Sequence, residues 1–180
     1  FRSLDSPWPV HRAGFVIHSA IHAARDDAHC VIHSHTRAGM AVSAMQCGLL
    51  PLTQHAMLFH DNIGYHDSEG IATDLDERAR LARDLGDKWI LMLRNHGTLV
   101  AGRTVCEAIS MMWHLERAMQ AQVDAMASGR ELTIPSDRVA ATTASRGFTG
   151  RTDDITCPVG WYEWGALLRL ADRLDAGFRN

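Results

Sequence analysis

The sequence has no long apolar run and no excess of basic residues, and these two absences remove several classes of protein. Its 180 residues contain 18 lysines and arginines against 21 aspartates and glutamates, which leaves a formal net charge of −3. A protein that binds a nucleic-acid backbone normally presents a basic stripe, so nucleic acid is not an expected partner. A bilayer span requires roughly 18 to 20 successive apolar residues, so no membrane segment is expected.

Cysteine is also scarce, and its spacing argues against a cross-linked or cysteine-ligated protein. The four cysteines form no C-x-x-C pair, which predicts reduced, mostly buried thiols rather than disulfides or a cysteine zinc site. The N-terminal stretch lacks a charged-then-apolar signal pattern, so the cytoplasm is the expected compartment. The chain begins at Phe1 rather than at methionine, inside a stretch that reads as a loop, and we therefore expect a further N-terminal segment.

Apolar periodicity predicts one α/β domain followed by an arm. Four segments have helical spacing or helix caps: 14–25, 36–47, 74–85 and 104–126. Asp74 with Glu77 and Thr104 with Glu107 each predict a capping box at the start of a helix. Three segments read as strands: 29–35, 89–94 and 98–101. Residues 49–72 alternate turn signals with short apolar stretches and predict short strands and loops.

The C-terminal part of the chain has a different character. Residues 130–158 show no periodicity and predict an extended arm, and an apolar helix is expected over 161–174. A long arm leading to a tryptophan-rich helix is hard to bury within one small domain. We therefore predict a metal-binding domain over residues 1–129 and, over residues 130–180, an arm and helix that lie at a subunit interface.

The histidines carry the main functional signal. His33 and His35 are two residues apart on a predicted strand, so both imidazoles point to the same side and can reach one ion. Eleven histidines in this chain make such a pair common by chance, so a third ligand is needed. His96, in the turn Asn95-His96-Gly97 that closes the second strand, is the best candidate, although a hairpin histidine bonded to backbone is the competing interpretation. Zinc is the first choice of metal, and manganese, iron, cobalt and nickel accept the same ligands.

Three segments, taken in order, resemble the class II aldolase/adducin family. They are AGFVIHSAIH at 13–22, CVIHSHT at 30–36 and LRNHG at 93–97, and the tail is similar to that of the bacterial adducin-like branch. The resemblance covers roughly residues 10 to 127. It implies an α/β/α sandwich around a mostly antiparallel sheet, assembly as a homotetramer, and metal binding by His33, His35 and His96.

The resemblance also exposes a departure at the position of the family's catalytic glutamate. In the sugar-phosphate aldolases of this family that glutamate follows two serines, and here the three positions are Arg12, Ala13 and Gly14. Glycine cannot transfer a proton, and such assistance is typically worth about 10²- to 10⁴-fold in rate. We therefore expect not an ordinary sugar-phosphate aldolase but another metal-dependent carbon–carbon lyase, aldolase-like or decarboxylase-like, that stabilises an enolate of a small carbonyl or carboxylate substrate.

Two residues of this chain are candidates for roles beside the metal. His18 lies one helical turn beyond Gly14 and is a candidate for proton transfer, with a residue from another subunit as the alternative. Arg12 is a candidate for binding a substrate carboxylate or phosphate.

Two other functions compete with the lyase. A non-catalytic, adducin-like assembly or protein-binding module would explain the missing glutamate. Metal-assisted hydrolysis fits three histidines equally well as chemistry, with Asp61, Asp67 and Glu69 as possible bases. Product analysis distinguishes the lyase from the hydrolase, because a lyase releases a carbonyl compound or carbon dioxide, whereas a hydrolase consumes water at an ester, amide or phosphate.

Overall fold

A four-stranded mixed sheet forms the centre of the computed structural model, which describes residues 8–147 and 159–179. The strands are β1 (Cys30–Ser34), β2 (Ile63–His66), β3 (Ile90–Leu93) and β4 (Gly97–Gly102), in the spatial order β1-β4-β3-β2. β4 pairs antiparallel with both β1 and β3, whereas β2 runs parallel to β3. The expected mostly antiparallel sheet is therefore confirmed.

Helices cover both faces of this sheet. They are α1 (Arg12–Ala24), α2 (Arg37–Ser43), α3 (Gln54–Met57), α4 (Glu77–Leu85), α5 (Val105–Ala127), α6 (Asp137–Arg146) and α7 (Trp161–Leu174), and a 3₁₀ turn follows at Ala176–Arg179. α1 and α4 pack on one face, and α2 and α5 pack on the other. This is the predicted α/β/α sandwich.

The two helical layers create two apolar cores, one on each side of the sheet. Along β3, Leu91 and Leu93 join the core under α1 and α4, while Ile90 and Met92 join the core under α2 and α5. All four are buried, which is why this strand reads as a continuous apolar run rather than as an alternating pattern.

Helix caps agree with the sequence at α5 but not at α4. Thr104 accepts a hydrogen bond from the Glu107 N–H at the start of α5, and the Glu107 carboxylate accepts one from the Arg103 N–H. At α4 the predicted pairing of Asp74 with Glu77 is wrong. Asp74 accepts the Asp76 N–H instead, and the Glu77 side chain is buried beside His66.

The expected extended arm over 130–158 is wrong for its central part, because residues 137–146 form α6. Ala140 and Ala144, one helical turn apart, are buried, and α6 packs against α3. Two alanines make a stripe too small to show as periodicity. Residues 131–136 have no regular secondary structure, as expected for an arm, and residues 148–158 lie outside the described residues. The helix predicted over 161–174 is present as α7, and none of its residues is buried.

Three thiols are free, as expected, but they differ in exposure. Cys106 is buried, Cys30 is half-buried and Cys47 is exposed, so the expectation of burial fails at Cys47; Cys157 lies outside the described residues. Within residues 8–147 and 159–179, no helix combines the length and the apolar character needed to cross a bilayer.

Candidate metal centre

Three histidines, from the end of β1 and from the turn between β3 and β4, meet at one end of the sheet. His33 lies on β1, His35 follows β1 by one residue, and His96 lies in the turn between β3 and β4. One ring nitrogen from each lies within 4.8 Å of the other two, and the Nε2 atoms of His33 and His35 are 2.8 Å apart. The structure therefore brings together the three residues that the sequence singled out.

Backbone geometry explains why an Asn-His-Gly turn places His96 here. Asn95 has φ 57°, a left-handed conformation that asparagine tolerates better than most residues. Gly97 is required by close approach rather than by its own φ, because a Cβ atom there would lie 2.3 Å from the Ser34 carbonyl oxygen. The close contact holds the end of β1 against the start of β4, and with it His33 and His35 beside His96.

A backbone hydrogen bond orients His33. Its Nδ1 lies 2.9 Å from the Thr98 carbonyl oxygen, and since a carbonyl only accepts, Nδ1 carries the proton. The Nε2 lone pair therefore faces His35 and His96. Metal-binding histidines in proteins are commonly oriented by such a bond from the other ring nitrogen.

Burial keeps the imidazoles of His33 and His96 neutral, which is the form that binds metal. The pKa of His33 is lowered from 6.5 to about 4, chiefly by loss of hydration and also by the neighbouring His96 and His35, while the bond to Thr98 acts in the opposite direction. Burial, followed by the effect of His35, also lowers the pKa of His96. At neutral pH both lone pairs are available.

The donor set fits a divalent ion of the zinc type. Two imidazole nitrogens bound to one tetrahedral zinc ion lie about 3.3 Å apart, given zinc–nitrogen bonds of about 2.0–2.1 Å. The observed nitrogen separations, 2.8 Å for one pair and no more than 4.8 Å for any, bracket that value. Three protein ligands leave a fourth coordination position for substrate.

A cavity of about 530 Å³ opens beside the three histidines. The start of α1 and a loop before α4 form the rest of its wall, together with Asn95; these residues are His11, Ala13, Gly14, Ile17, Ser68, Gly70, Ile71 and Ala72. No aspartate or glutamate belongs to this wall among the described residues. A second cavity of about 600 Å³ adjoins the first and shares Ser68 and Asn95 with it.

His18, predicted for proton transfer, and Arg12, predicted for substrate binding, are not among the residues of the cavity wall. His18 is half-buried on α1 and close enough to His33 to lower its pKa. Burial, and then His22, lowers the pKa of His18 itself. Arg12 donates from Nε to the Thr73 carbonyl oxygen at 2.8 Å and so ties α1 to the loop that forms the cavity wall.

His11 is a cavity residue that reasoning from the sequence missed. It caps α1, with Nδ1 accepting the Gly14 N–H at 3.3 Å, and it is one of the residues of the cavity wall. The available signal was its place three residues before Gly14, directly before a predicted helix.

The acidic residues considered for hydrolysis are occupied elsewhere. Glu69 forms a bidentate pair with Arg80, both bonds at 2.6 Å, and this bond lowers its pKa. Asp67 lines the second cavity, and Asp61 lies beside His60. None of the three belongs to the wall of the histidine cavity.

Comparison with known proteins agrees with this geometry. Residues 3–123 match the model of the Class II Aldolase and Adducin N-terminal domain. A Caulobacter vibrioides protein named for aldolase class 2 is 46% identical over 175 residues, covering 97% of this chain and 66% of the relative. Mouse alpha-adducin is 39% identical over 179 residues, covering 95% of this chain and 24% of the relative. The chain thus spans about two thirds of the bacterial relative and a quarter of the adducin.

Two solved structures share the fold. An aldolase II superfamily protein from Pseudomonas syringae superposes with a TM-score of 0.87 at 42% identity, covering 98% of this chain and 68% of that one. L-fuculose 1-phosphate aldolase from Glaciozyma antarctica PI12 superposes with a TM-score of 0.75 at 27% identity, covering 93% of this chain and 61% of that one.

Proposed function

Because this chain belongs to the class II aldolase and adducin family, we propose that it is a metal-dependent carbon–carbon lyase acting on a small carbonyl or carboxylate substrate. One observation carries the proposal: the nitrogens of His33, His35 and His96 lie within 4.8 Å of one another on the wall of a 530 Å³ cavity. A bound divalent ion would supply Lewis-acid polarisation of a substrate carbonyl. Zinc is the ion that we propose first, and manganese, iron, cobalt and nickel are alternatives.

The reaction that we propose is aldolase-like or decarboxylase-like rather than ordinary sugar-phosphate aldol cleavage. Gly14 occupies the position of the family's glutamate, and the described cavity wall contains no carboxylate side chain. His18 is kept as a proton-transfer residue and Arg12 as a substrate-binding residue. His18→Ala and Arg12→Ala should lower turnover and affinity, respectively, on any substrate found by screening; unchanged values would contradict each assignment.

The decisive experiment is elemental analysis of the purified protein beside a variant with both His33→Ala and His35→Ala. We expect about one ion per wild-type chain and none in the double variant. His29→Ala, an exposed histidine on the same segment, is the matched control and should keep the ion. A wild-type protein without metal, even after incubation with zinc and manganese, would contradict the lyase.

Product analysis then separates the reaction classes. A lyase releases a carbonyl compound or carbon dioxide from aldol or carboxylated substrates. A hydrolase consumes water at an ester, amide or phosphate.

The second candidate function is a non-catalytic, adducin-like assembly or protein-binding module. The similarity to alpha-adducin and the absence of a carboxylate from the described cavity wall favour it. A protein that binds metal but turns over no aldol or carboxylated substrate would support this function over the lyase.

We further propose that the protein is a cytoplasmic homotetramer with residues 130–180 at a subunit interface. α7 is amphipathic, yet Trp161, Tyr162 and Leu174 are 54%, 85% and 77% exposed in the single chain. Leu174→Asp should therefore reduce the mass of the assembly in sedimentation. An assembly of unchanged mass would contradict this interface.

A further inference from the structure

The cavity beside the three histidines has few polar groups with which to hold a substrate. Apart from the histidine cluster, three side chains on the described wall are polar: His11, Ser68 and Asn95. Of these three side chains, His11 is the one with an imidazole ring, whose N–H can donate a hydrogen bond. The described wall residues include no lysine or arginine, so this wall offers a negatively charged part of a substrate hydrogen-bond donors rather than a salt bridge.

The first turn of α1 fixes which ring nitrogen of His11 can donate. Nδ1 accepts the backbone N–H of Gly14, so this atom is unprotonated and the proton of the neutral ring is on Nε2. Nε2 makes no hydrogen bond to the described residues. With its proton on Nε2, the ring can donate a hydrogen bond to a negatively charged oxygen.

Gly14 leaves the space beside this ring open. A Cβ atom at Gly14 would have the His11 Nδ1 as its one neighbour within 4 Å, at 3.8 Å. No side chain from position 14 therefore separates His11 from the cavity. The arrangement suits a hydrogen-bond donor better than a proton-transfer base, because the nitrogen that could accept a proton is already bonded to Gly14.

We propose that His11 is a substrate-positioning residue whose Nε2–H donates a hydrogen bond to an anionic oxygen of the substrate. This inference rests on the proposed function, because the substrate would bind the same ion as His33, His35 and His96. It narrows the substrate to small molecules that carry a carboxylate or a comparable oxyanion beside the carbonyl. Recognition is by one neutral donor, without a salt bridge.

Two variants separate this role from capping of α1. In His11→Asn the amide oxygen takes the place of Nδ1, and asparagine is a favoured N-cap, so the helix stays capped but the donor is too short. In His11→Gln the amide nitrogen takes the place of Nε2, so the donor is kept while the cap is weakened. A purely structural residue would tolerate asparagine better than glutamine, and a substrate-positioning residue would show the opposite order.

The probe is acetohydroxamate, which binds a metal through two oxygens, one of them anionic. Its affinity is measured by titrating the cobalt-loaded protein and following the visible absorption of the ion. We expect His11→Asn to bind the probe about 10- to 100-fold more weakly, because a hydrogen bond to a charged group is lost. The affinity of His11→Gln for the probe should stay within about threefold of that of the wild type. The control His29→Asn should have the wild-type affinity. Imidazole, a metal ligand without an anionic oxygen, should bind all four proteins alike.

Equal affinity for acetohydroxamate in His11→Asn and wild type, with one cobalt per chain in both, would overturn the role of His11 and leave the proposed function standing. Failure of the wild type to bind cobalt would overturn the proposed function together with it. Cobalt content and Tm of each variant are measured first, so the two failures are distinguishable.

Discussion

The substitution Gly97→Ala tests directly whether backbone contact assembles the histidine cluster. Gly97 is buried at the start of β4, where it pairs with Leu93 of β3 and directly precedes Thr98, the partner of Ser34 at the end of β1. A Cβ there would lie 2.3 Å from the Ser34 oxygen and 3.2 Å from Cδ2 of His35. The nearest obstacle is backbone, which cannot rotate away.

The size of the effect follows from that distance. Bringing the contact from 2.3 Å to the smallest tolerated value of 3.0 Å separates β1 from β4 by about 0.7 Å. Metal–ligand distances tolerate about 0.2 Å, and disturbing the groups that orient ligands typically costs about 10- to 100-fold in metal affinity. We expect a loss of that size. The same overpacking should lower the free energy of unfolding by about 1–3 kcal/mol.

Two measurements check this prediction. Zinc affinity is obtained by competition with a chromophoric chelator, and the free energy of unfolding of the metal-free protein is obtained from urea denaturation. Gly14→Ala is the matched control, because it adds the same methyl group at a glycine in the wall of the cavity beside the histidines. Its Cβ would have no neighbour closer than 3.8 Å, so zinc affinity should be unchanged and α1 should gain up to about 1 kcal/mol.

A Gly97→Ala protein that binds zinc within twofold of the wild type would refute the reasoning. The end of β1 would then tolerate a movement that the geometry says must displace His33 or His35. A loss of zinc affinity in Gly14→Ala of the same size would refute it as well, because the effect would not depend on the close contact.

Three further predictions follow from other parts of the chain. In the metal-free protein, burial holds the pKa of His33 at about 4, below its ordinary value of 6.5, so the folded state binds fewer protons than the unfolded state. The contribution of His33 to the free energy of unfolding should therefore be complete above pH 6.5 and fall as the pH drops towards 4. Unfolding midpoints and a histidine NMR titration over this pH range measure the two quantities. Asp84→Asn should lower the free energy of unfolding by about 3 kcal/mol, because the buried His66 ring loses the nearer of its carboxylate partners, at 2.8 Å. Arg83→Gln, on the exposed side of Asp84, should change it by less than about 1 kcal/mol, and an equal cost would contradict the role of burial. Thr104→Ala should cost about 1 kcal/mol in urea denaturation through loss of the α5 cap, and Thr142→Ala, an exposed hydroxyl within α6, should cost nothing.

Local patterns were sufficient for much of the sandwich. The strands around His33 and before His96 are short, apolar and bounded by turn residues, and Thr104 with Glu107 marks the start of α5. These signals lie within a few residues of the element that they define. α6 was missed because its buried face consists of two alanines, and the α4 cap was misplaced because Glu77 is drawn into a buried contact with His66.

The identity of the three candidate ligands was determined by the sequence alone, because the H-x-H spacing and the Asn-His-Gly turn are local and the family resemblance assigns them in order. Their meeting was decided by the tertiary structure, through the antiparallel pairing of β1 with β4 and the contact of Gly97 with Ser34. The same holds for the cavity wall. His11 and Asn95 are distant in the chain, and His11 gained a role only when packing placed α1 beside the turn that carries His96. Residue type and spacing are properties of the chain, whereas the distance between imidazoles and the wall of a cavity depend on contacts between residues far apart in sequence.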